Sequence, residues 1–249
     1  VELKIPCLAE QTKIASFLSA VDEKISQLTQ KHQLLSQYKQ GMMQKLFSQQ
    51  IRFKADDGSE FGEWAKKNIL DIADVSIGLV TTMTTNYRET GTPLIRNSDI
   101  KPNRILKEKL IFLDPSFSDS YENRKLKSND IVTVHTGDVG VSSLIPKDLE
   151  GAIGFATINT RVRNTDVSPY YLVWYFNSKS FINWCINYST GDGRQNLNLK
   201  DFNTATIPLP CLEEQTKIAN FLSAIDQKID VVSEQLEQAK LWKKGLLQQ

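Results

Sequence analysis

A twenty-residue segment occurs twice in this chain, once near each end. Residues 6–25 read PCLAEQTKIASFLSAVDEKI and residues 210–229 read PCLEEQTKIANFLSAIDQKI, an offset of 210 − 6 = 204 with 16 of 20 positions identical. Both copies place apolar residues at the three- and four-residue spacing of an amphipathic helix. Two nearly identical helices on either side of an unrelated stretch give the protein two similar surfaces, so the question is what those surfaces join.

The helical pattern continues beyond both copies. In the first copy the pattern consists of Ile14, Leu18, Val21, Ile25, Leu28, His32, Leu35, Lys39, Met42 and Leu46. In the second it consists of Ile218, Leu222, Ile225, Ile229, Val232, Leu236, Ala239, Lys243 and Leu246. This alternation of threes and fours is a heptad seam, the spacing at which one stripe of a helix keeps facing a partner helix. It predicts a long antiparallel two-helix coiled coil.

Lysine occupies one seam position in each copy, at Lys39 and Lys243. A lysine on a seam is tolerated when it fixes the register of the helices, or when the stripe opens to solvent at that point. The sequence leaves both explanations open.

Identity between the copies extends to polar positions that a packing seam does not require. A hairpin that merely closes the domain would account for the seam, but it would not account for the shared polar residues. These matched residues predict that each copy binds the same kind of partner. The predicted partner-binding residues are Glu10, Gln11, Lys13, Glu214, Gln215 and Lys217.

Composition limits the class of protein. With 249 residues, 40% of them apolar, the chain can bury a core in one or two domains. No apolar run approaches the length of a membrane span, and three cysteines give neither a disulfide framework nor a metal cluster, so we expect a cytoplasmic protein without metal or cofactor. The net charge is +1, so any nucleic-acid binding must use a local patch or partner subunits.

The segment between the helices has the pattern of a separate domain. Short runs of strand-forming residues are separated by Gly, Pro, Asn and Asp, and Ser168 followed by Pro169 predicts the start of a helix. Trp64 is predicted to anchor the entry to this domain. The expected fold class is α+β. It comprises the end of a preceding domain and the first long helix at 1–50, a strand-rich mixed domain at 51–208, and the second long helix at 209–249.

The order of helix, globular domain and second helix resembles half of the DNA specificity subunit of Type I restriction-modification systems. The likeness rests on the repeated P-x-L-x-E-Q-x-K-I-A-x-F-L-x-x-x-D-x-K-I helix, and on the segments TPLIRNSDI, LKSNDIVTVHTGDVG and GDGRQNLN. It covers almost the whole chain, strongly in the helices and loosely between them.

The resemblance implies a non-catalytic subunit that reads one half of a bipartite target in double-stranded DNA. It also implies that the helices bind methyltransferase (modification) subunits and, through them, restriction subunits. A second recognition domain would come from the same longer chain or from a second copy. The chain shows no nucleotide-binding glycine-rich loop and no nucleophile elbow, which agrees with a non-catalytic role.

Amide, guanidinium, hydroxyl and imidazole groups on loops are the chemistry that reads base edges. The predicted DNA-binding residues are Thr82, Thr84, Thr85, Asn86, Arg88, Arg96, Asn97, Ser98, His135, Thr136, Arg194, Gln195, Asn196 and Asn198. Arg96 in particular could make a bidentate contact to guanine. Two alternatives remain open, namely a coiled-coil adaptor that binds protein without recognising DNA, and an enzyme that uses His135 with Asp138.

Overall fold

The computed structural model describes residues 5–191 and 195–247. Two long helices, α1 (Leu8–Phe47) and α7 (Leu212–Leu246), carry the two copies of the repeat. The chain divides into two compact units. The helical unit contains α1 up to Lys45 and α7 from Phe221, and the α/β unit is Leu46–Asn220. The first turns of α7 therefore belong to the α/β unit.

Within the helical unit the two helices pack antiparallel, as predicted. The rings of Phe17 and Trp242 meet edge to face at 5.5 Å between centroids, and those of Tyr38 and Phe221 meet at 6.5 Å. These two pairs are related by the repeat, because 17 + 204 = 221 and 38 + 204 = 242. The paired helices therefore have an approximate local twofold axis.

The two seam lysines follow the same symmetry. Lys39 forms an ion pair with Asp226, and Lys243 forms one with Asp22. The two pairs are repeat equivalents, because 22 + 204 = 226 and 39 + 204 = 243. Each lysine reaches across to the opposite helix at a defined position, so of the two explanations the structure favours the fixing of register.

The apolar seam is buried only along its centre. Two helices cover one face of each other, so side chains at the margins of the stripe keep contact with solvent. The buried seam residues of the helical unit are Val21, Leu28, Leu222, Ile225, Ile229 and Val232.

The α/β unit contains two four-stranded sheets, with strand orders β10-β4-β7-β3 and β2-β11-β8-β9, and two short two-stranded sheets, β1-β12 and β5-β6. The strands are β1 (Ala65–Asn68), β2 (Ala73–Ile77), β3 (Tyr87–Arg88), β4 (Thr92–Arg96), β5 (Ile100–Lys101), β6 (Arg104–Ile105), β7 (Ile111–Leu113), β8 (Ile131–Val134), β9 (Ser142–Leu144), β10 (Ile153–Phe155), β11 (Thr157–Val162) and β12 (Thr206–Leu209). The short helices are α2 (Ile69–Ile72), α3 (Pro115–Asp119), α4 (Pro169–Phe176), α5 (Lys179–Tyr188) and α6 (Leu199–Phe202). The predicted mixed, strand-rich fold is confirmed.

Helix caps explain where α4 and α5 begin. The Ser168 hydroxyl accepts a hydrogen bond from the backbone N–H of Tyr171, and Pro169 occupies the first helical turn. Ser178 caps α5 in the same way through the N–H of Phe181. Both caps satisfy backbone donors that the first turn of a helix leaves free.

Aromatic rings fill the core beneath these helices. Phe176 and Phe181 stack at 4.5 Å between centroids, and Phe202 meets both rings edge to face. Strand β1 pairs antiparallel with β12, from Ala65 opposite Leu209 onward, so the chain enters and leaves the unit through neighbouring strands. Across the described residues, the helices are all too short or too polar to span a membrane.

Candidate nucleic-acid interface

The carboxyl ends of four strands lie along one edge of the α/β unit. Strands β4 and β10 are parallel, and their last residues, Arg96 and Phe155, are paired. Thr157, two residues after Phe155, pairs with Val134, the last residue of β8. Ile158 pairs with the last residue of β2. We call this place, where β2, β4, β8 and β10 end, the strand-end edge.

Hydrogen bonds connect the loops that leave this edge. The backbone N–H of Ala156 donates to the carbonyl of Leu79 (N···O 2.9 Å), and the Asn97 side-chain N–H donates to the carbonyl of Ala156 (3.3 Å). The Asn97 side-chain oxygen accepts from the backbone N–H of His135 (3.3 Å). The carbonyl of His135 accepts from the N–H of Leu197 (2.8 Å). Five segments that are far apart in sequence are thus held side by side.

Close packing fixes the backbone at the centre of the edge. Ala156 has a φ of +50°, in the left-handed region that non-glycine residues seldom adopt. A Cβ on Gly154 would stand 2.2 Å from the Thr157 hydroxyl, and a Cβ on Gly78 would stand 2.3 Å from the Gly154 carbonyl. Only glycine fits at these two positions. Nothing in the sequence marks Ala156, which sequence analysis missed.

The segments that follow β8 and α5 pair with each other at this edge. Thr136 and Asn196 form an isolated β-bridge, and the N–H of Gly137 donates to the carbonyl of Gln195 (3.0 Å). The Gln195 side-chain oxygen accepts from the Ser189 hydroxyl. The structure therefore brings together three of the segments that sequence analysis selected, at 96–98, 135–136 and 195–198.

Arg96 has a structural role that the sequence did not reveal. Its Nε and Nη2 donate to both carboxylate oxygens of Asp99, at 2.8 and 2.7 Å, and Nη2 also donates to the carbonyl of Lys109 (3.0 Å). The hydrogen bonds to the buried Asp99 raise the pKa of the guanidinium. The bidentate guanine contact predicted for Arg96 does not fit this geometry, because it would require breaking the pair.

Asn97 likewise makes its hydrogen bonds within the protein. Its side-chain nitrogen donates to Ala156 and its side-chain oxygen accepts from His135. Ser98 beside it is exposed. His135 is half-buried, with Nδ1 3.3 Å from the carbonyl of Leu197. Of this group, Ser98 and the half-exposed His135 and Thr136 offer polar surface to a ligand.

The loop after β2 carries exposed hydroxyl groups. Thr82, Thr84 and Thr85 are exposed, whereas Met83 between them is buried and attaches the loop to the core. Val80, which sequence analysis missed, is also largely exposed. Val80 follows the run Ile-Gly-Leu, which has the pattern of a buried strand, so the sequence did not indicate that Val80 is exposed.

Arg88 and Asn86, which end this loop, are bound locally. The Arg88 guanidinium donates to Asp114 (2.8 Å) and to the carbonyl of Thr85 (3.1 Å). Asn86 is half-buried, and its carbonyl accepts from the N–H of Asp114 (2.9 Å). These contacts hold the loop in shape.

Asn198 is exposed and stands at the N-cap position of α6, with its side-chain nitrogen 3.4 Å from Asp201. The side-chain oxygen of Asn196 is buried and has no hydrogen-bond partner in the part of the chain that the structure describes. Arg194 lies outside the described residues.

The partner-binding residues predicted in the second repeat contact the chain's own α/β unit. Glu214 is 0% exposed, and its carboxylate accepts from Arg52 Nε (3.0 Å), Arg52 Nη2 (2.7 Å) and Trp64 Nε1 (2.9 Å). We call these three residues the Glu214 cluster. The hydrogen bonds that Arg52 donates to Glu214 raise the pKa of the Arg52 guanidinium. The indole contact confirms that Trp64 anchors the entry to the domain.

Gln215 and Lys217 make similar internal contacts. The Gln215 side-chain oxygen accepts from the N–H of Ser168 (2.8 Å), and its nitrogen donates to the carbonyl of Asp166 (3.0 Å). Lys217 forms an ion pair with Asp56. The prediction that Glu214 and Gln215 contact a partner subunit does not fit their burial, because the folded domain already covers both side chains.

The equivalent residues of the first copy, Glu10, Gln11 and Lys13, are exposed on α1. The two copies thus carry the same residues in different surroundings.

Residues 62–241 match the family model described as Type I restriction modification DNA specificity domain. The chain belongs to this family. It is 26% identical over 259 residues to the Type I restriction enzyme MjaVIII specificity subunit of Methanocaldococcus jannaschii, a match that covers 99% of this chain and 60% of that protein. It is 24% identical over 255 residues to the EcoBI specificity subunit of Escherichia coli, with 95% of this chain and 54% of that protein covered.

Solved structures show the same fold. The HsdS subunit from Thermoanaerobacter tengcongensis matches with a TM-score of 0.58 and 19% identity over 98% of this chain and 58% of that chain. The Type I restriction-modification S subunit from M. genitalium matches with a TM-score of 0.61 and 16% identity over 96% of this chain and 60% of that chain. This chain therefore spans a little more than half the length of the relatives it matches.

Proposed function

We propose that this chain recognises one half of a bipartite DNA target, with the strand-end edge of the α/β unit facing the bases. The observation that carries the proposal is that three separate segments, at 96–98, 135–136 and 195–198, meet at one edge in a chain that belongs to the DNA specificity family. Rigid strand ends that carry short polar loops are suited to base reading, because the loops hold donors and acceptors at fixed positions.

The candidate residues divide into two roles. The residues that offer polar groups at the surface are the proposed base and phosphate contacts, and Val80 is a candidate for contact with a thymine methyl group. They are Thr82, Thr84, Thr85, Ser98, His135, Thr136, Gln195 and Asn198. Arg88, Arg96 and Asn97 instead hold the loops in place, and Arg194 and Asn196 keep their predicted role as DNA contacts.

Phosphate attraction in this unit comes from few side chains. Residues 88–127 hold nine basic and six acidic residues, but several of the basic ones are paired, for example Arg88 with Asp114 and Lys125 with Asp119. With a net charge of only +1, the chain depends on partner subunits for much of its affinity. We propose that methyltransferase subunits bind the helical unit and supply both this affinity and the methyl-transfer chemistry. We also propose that the complex acts in the cytoplasm.

The test is selection of DNA sequences from a random duplex pool by this chain together with its modification subunits. Thr136→Ala and Gln195→Ala are expected to relax the preference at one or two positions of one half-site, by about 1–3 kcal/mol for each lost base contact. Ser120→Ala is the matched control, because it removes an exposed hydroxyl far from the strand-end edge. Ser120 follows α3, and α3 contacts Thr92 at the end of β4 opposite Arg96.

The proposal fails if the complex enriches no half-site, which is the result expected of a protein–protein adaptor. It also fails if Ser120→Ala changes the selected sequence as much as Thr136→Ala does. A residual methyl-transfer or cleavage activity of the isolated chain that His135→Ala abolishes would instead support an enzyme.

A further inference from the structure

We propose that His135 determines specificity at one base position, because its imidazole Nε2 accepts a hydrogen bond from the exocyclic amino group of a base. That group is N6 of adenine or N4 of cytosine. The proposal deepens the proposed function and rests on it, since it names the kind of base that one residue of the strand-end edge reads. The hydrogen bonds around the ring of His135 carry the proposal.

The backbone of His135 is held from two sides. Its N–H donates to the side-chain oxygen of Asn97 (3.3 Å), and its carbonyl accepts from the N–H of Leu197 (2.8 Å). The next residue, Thr136, forms an isolated β-bridge with Asn196. A side chain on a backbone that is fixed in this way keeps one position relative to a docked duplex.

A buried carbonyl decides which ring nitrogen of His135 carries the proton. Nδ1 lies 3.3 Å from the carbonyl oxygen of Leu197, a residue that is 0% exposed. A carbonyl oxygen can only accept, so this contact is a hydrogen bond only when Nδ1 carries a hydrogen. Among the described residues no other donor reaches this carbonyl, and buried carbonyls are seldom left without one. In the neutral ring the proton is therefore on Nδ1, and Nε2 carries a lone pair.

The other ring nitrogen is available to a ligand. His135 is half-buried, and Nε2 has no hydrogen-bond partner among the residues that the structure describes. Within the same residues, the buried side-chain atoms that lack a partner are Thr160 Oγ1, Asn196 Oδ1 and Asn203 Oδ1. Nε2 is not one of them, so it belongs to the part of the ring that solvent reaches.

Thr136 adds a donor beside this acceptor. Its hydroxyl oxygen lies 3.4 Å from His135 Nδ1. Because Nδ1 carries the proton, the hydroxyl oxygen is the acceptor in this contact, and its own hydrogen turns away from the ring. The half-exposed Thr136 and His135 therefore offer a ligand one donor and one acceptor from neighbouring residues.

Donors are few on the edges of the bases. In the major groove they are the amino groups at N6 of adenine and N4 of cytosine, whereas guanine and thymine present acceptors there. Phosphate oxygens of the DNA backbone also only accept. A lone pair on Nε2 therefore excludes guanine, thymine and phosphate as its partner. The hydroxyl hydrogen of Thr136 finds an acceptor next to either amino group, at N7 of the same adenine or O6 of the guanine paired with cytosine.

The first experiment separates the two ring nitrogens by substitution. The side-chain nitrogen of asparagine can replace Nδ1, and the side-chain oxygen of glutamine can replace Nε2. His135→Asn is expected to melt within about 2 °C of the natural chain. In selection from random duplexes with the modification subunits, it is expected to relax the preference at one half-site position by about tenfold. His135→Gln is expected to melt lower, because the Leu197 carbonyl loses its donor, and to retain more of that preference.

The second experiment removes the amino group from the DNA. At the position that His135→Asn relaxes, purine replaces adenine, or 2-pyrimidinone replaces cytosine, and the base that this position requires distinguishes the two sources of the amino group. The complex with the natural chain is expected to bind the altered duplex about tenfold more weakly, and the His135→Asn complex to bind both duplexes equally. The same replacement at another position of the half-site is the matched control, and it is expected to affect the two complexes alike.

Several results would overturn this assignment. They are an unchanged half-site for His135→Asn, a relaxed position that requires guanine or thymine, and equal weakening of both complexes by removal of the amino group. A His135→Asn chain that melts lower than His135→Gln would contradict the tautomer. In each of these cases the natural chain still selects a half-site, so the proposed function stands. A natural complex that enriches no half-site would instead refute the proposed function, and this proposal with it.

Discussion

The starts of α1 and α7 are nearly the same sequence in two different surroundings. Glu214 is buried with three hydrogen-bond donors around it, whereas Glu10 is exposed. The backbone and the local side-chain bonds agree between the two helix starts. Local sequence therefore sets the conformation of a segment, whereas burial depends on which domain packs against it.

Farther along the helices the two copies become equivalent. The Lys39–Asp226 and Lys243–Asp22 pairs, like the two aromatic pairs, exchange the roles of the two helices. Here each copy is the partner of the other. In the second copy the repeat therefore serves two purposes, since its first turns contact the α/β unit and its later turns form the antiparallel pair.

The largest difference between the copies is expected for the glutamates. Glu214→Ala leaves the partly buried Arg52 guanidinium without its carboxylate and the Trp64 N–H without its acceptor, so we expect a loss of about 2–4 kcal/mol in unfolding free energy. Glu10→Ala is expected to cost less than about 0.5 kcal/mol. Both residues lie in the first turn of a helix, so their interaction with the helix dipole is common to the two variants. Urea unfolding followed by tryptophan fluorescence measures both, and equal losses would contradict the comparison.

The glutamines should show a smaller difference of the same sign. Gln215→Ala leaves the part-buried N–H of Ser168 and the carbonyl of Asp166 without their partner, at a cost of about 1–2 kcal/mol. Gln11→Ala removes only a bond to Pro6 at an exposed site. The same urea titration applies, and a cost for Gln11→Ala similar to that for Gln215→Ala would show that the bond within the helix start is the important one.

The cross-helix ion pairs should differ least, because both are partly exposed. Lys39 and Asp226 are each 24% exposed, whereas Lys243 and Asp22 are 30% and 54% exposed. Double-mutant cycles with alanine are expected to give a coupling of about 0.5–1 kcal/mol for the first pair and less for the second. A coupling near zero for both would indicate that the apolar seam alone sets the register.

Cysteine labelling tests exposure without changing stability. Cys7 and Cys211 occupy the same repeat position and are both exposed, whereas Cys185 is buried. Burial raises the pKa of the Cys185 thiol to about 12, so the folded protein keeps this proton at pH 8. We expect two thiols to react in the native protein and the third only after unfolding. Reaction of all three at one rate would contradict the burial of Cys185.

The same pKa shift has a defined effect on stability. The unfolded chain loses the Cys185 proton at the ordinary thiol pKa, while the folded chain retains it up to about pH 12. The unfolded state therefore binds fewer protons in this window, and stability falls as pH rises through it. Cys185→Ala should remove this part of the pH dependence, as measured by urea titrations at pH 8 and pH 10.

Sequence patterns predicted the elements whose signal is local. Strands β2, β8 and β11 are runs rich in β-branched residues, and Ser168 with Pro169 marks the start of α4. Strand β1 was not predicted because its sequence, AKKN, is polar and exposed, and it becomes a strand only by pairing with β12 more than a hundred residues later. Such pairing leaves no periodicity in the sequence.

The candidate site was likewise predicted only in part from the sequence. Sequence analysis selected the segments that carry Asn97, His135 and Gln195, and the structure places all three at the strand-end edge. It could not predict that Arg96 is bound by Asp99, because a guanidinium at a strand end looks the same whether it faces a base or a carboxylate.

The sequence alone specified the repeat, the seam that pairs the two helices, and the lysine that each seam carries. These follow from spacing along a single segment. Tertiary packing settled which aspartate meets each seam lysine, which copy of the repeat has a buried start, and which loops share the strand-end edge. Those outcomes depend on contacts between residues far apart in the chain, and such contacts form through the packing of whole elements.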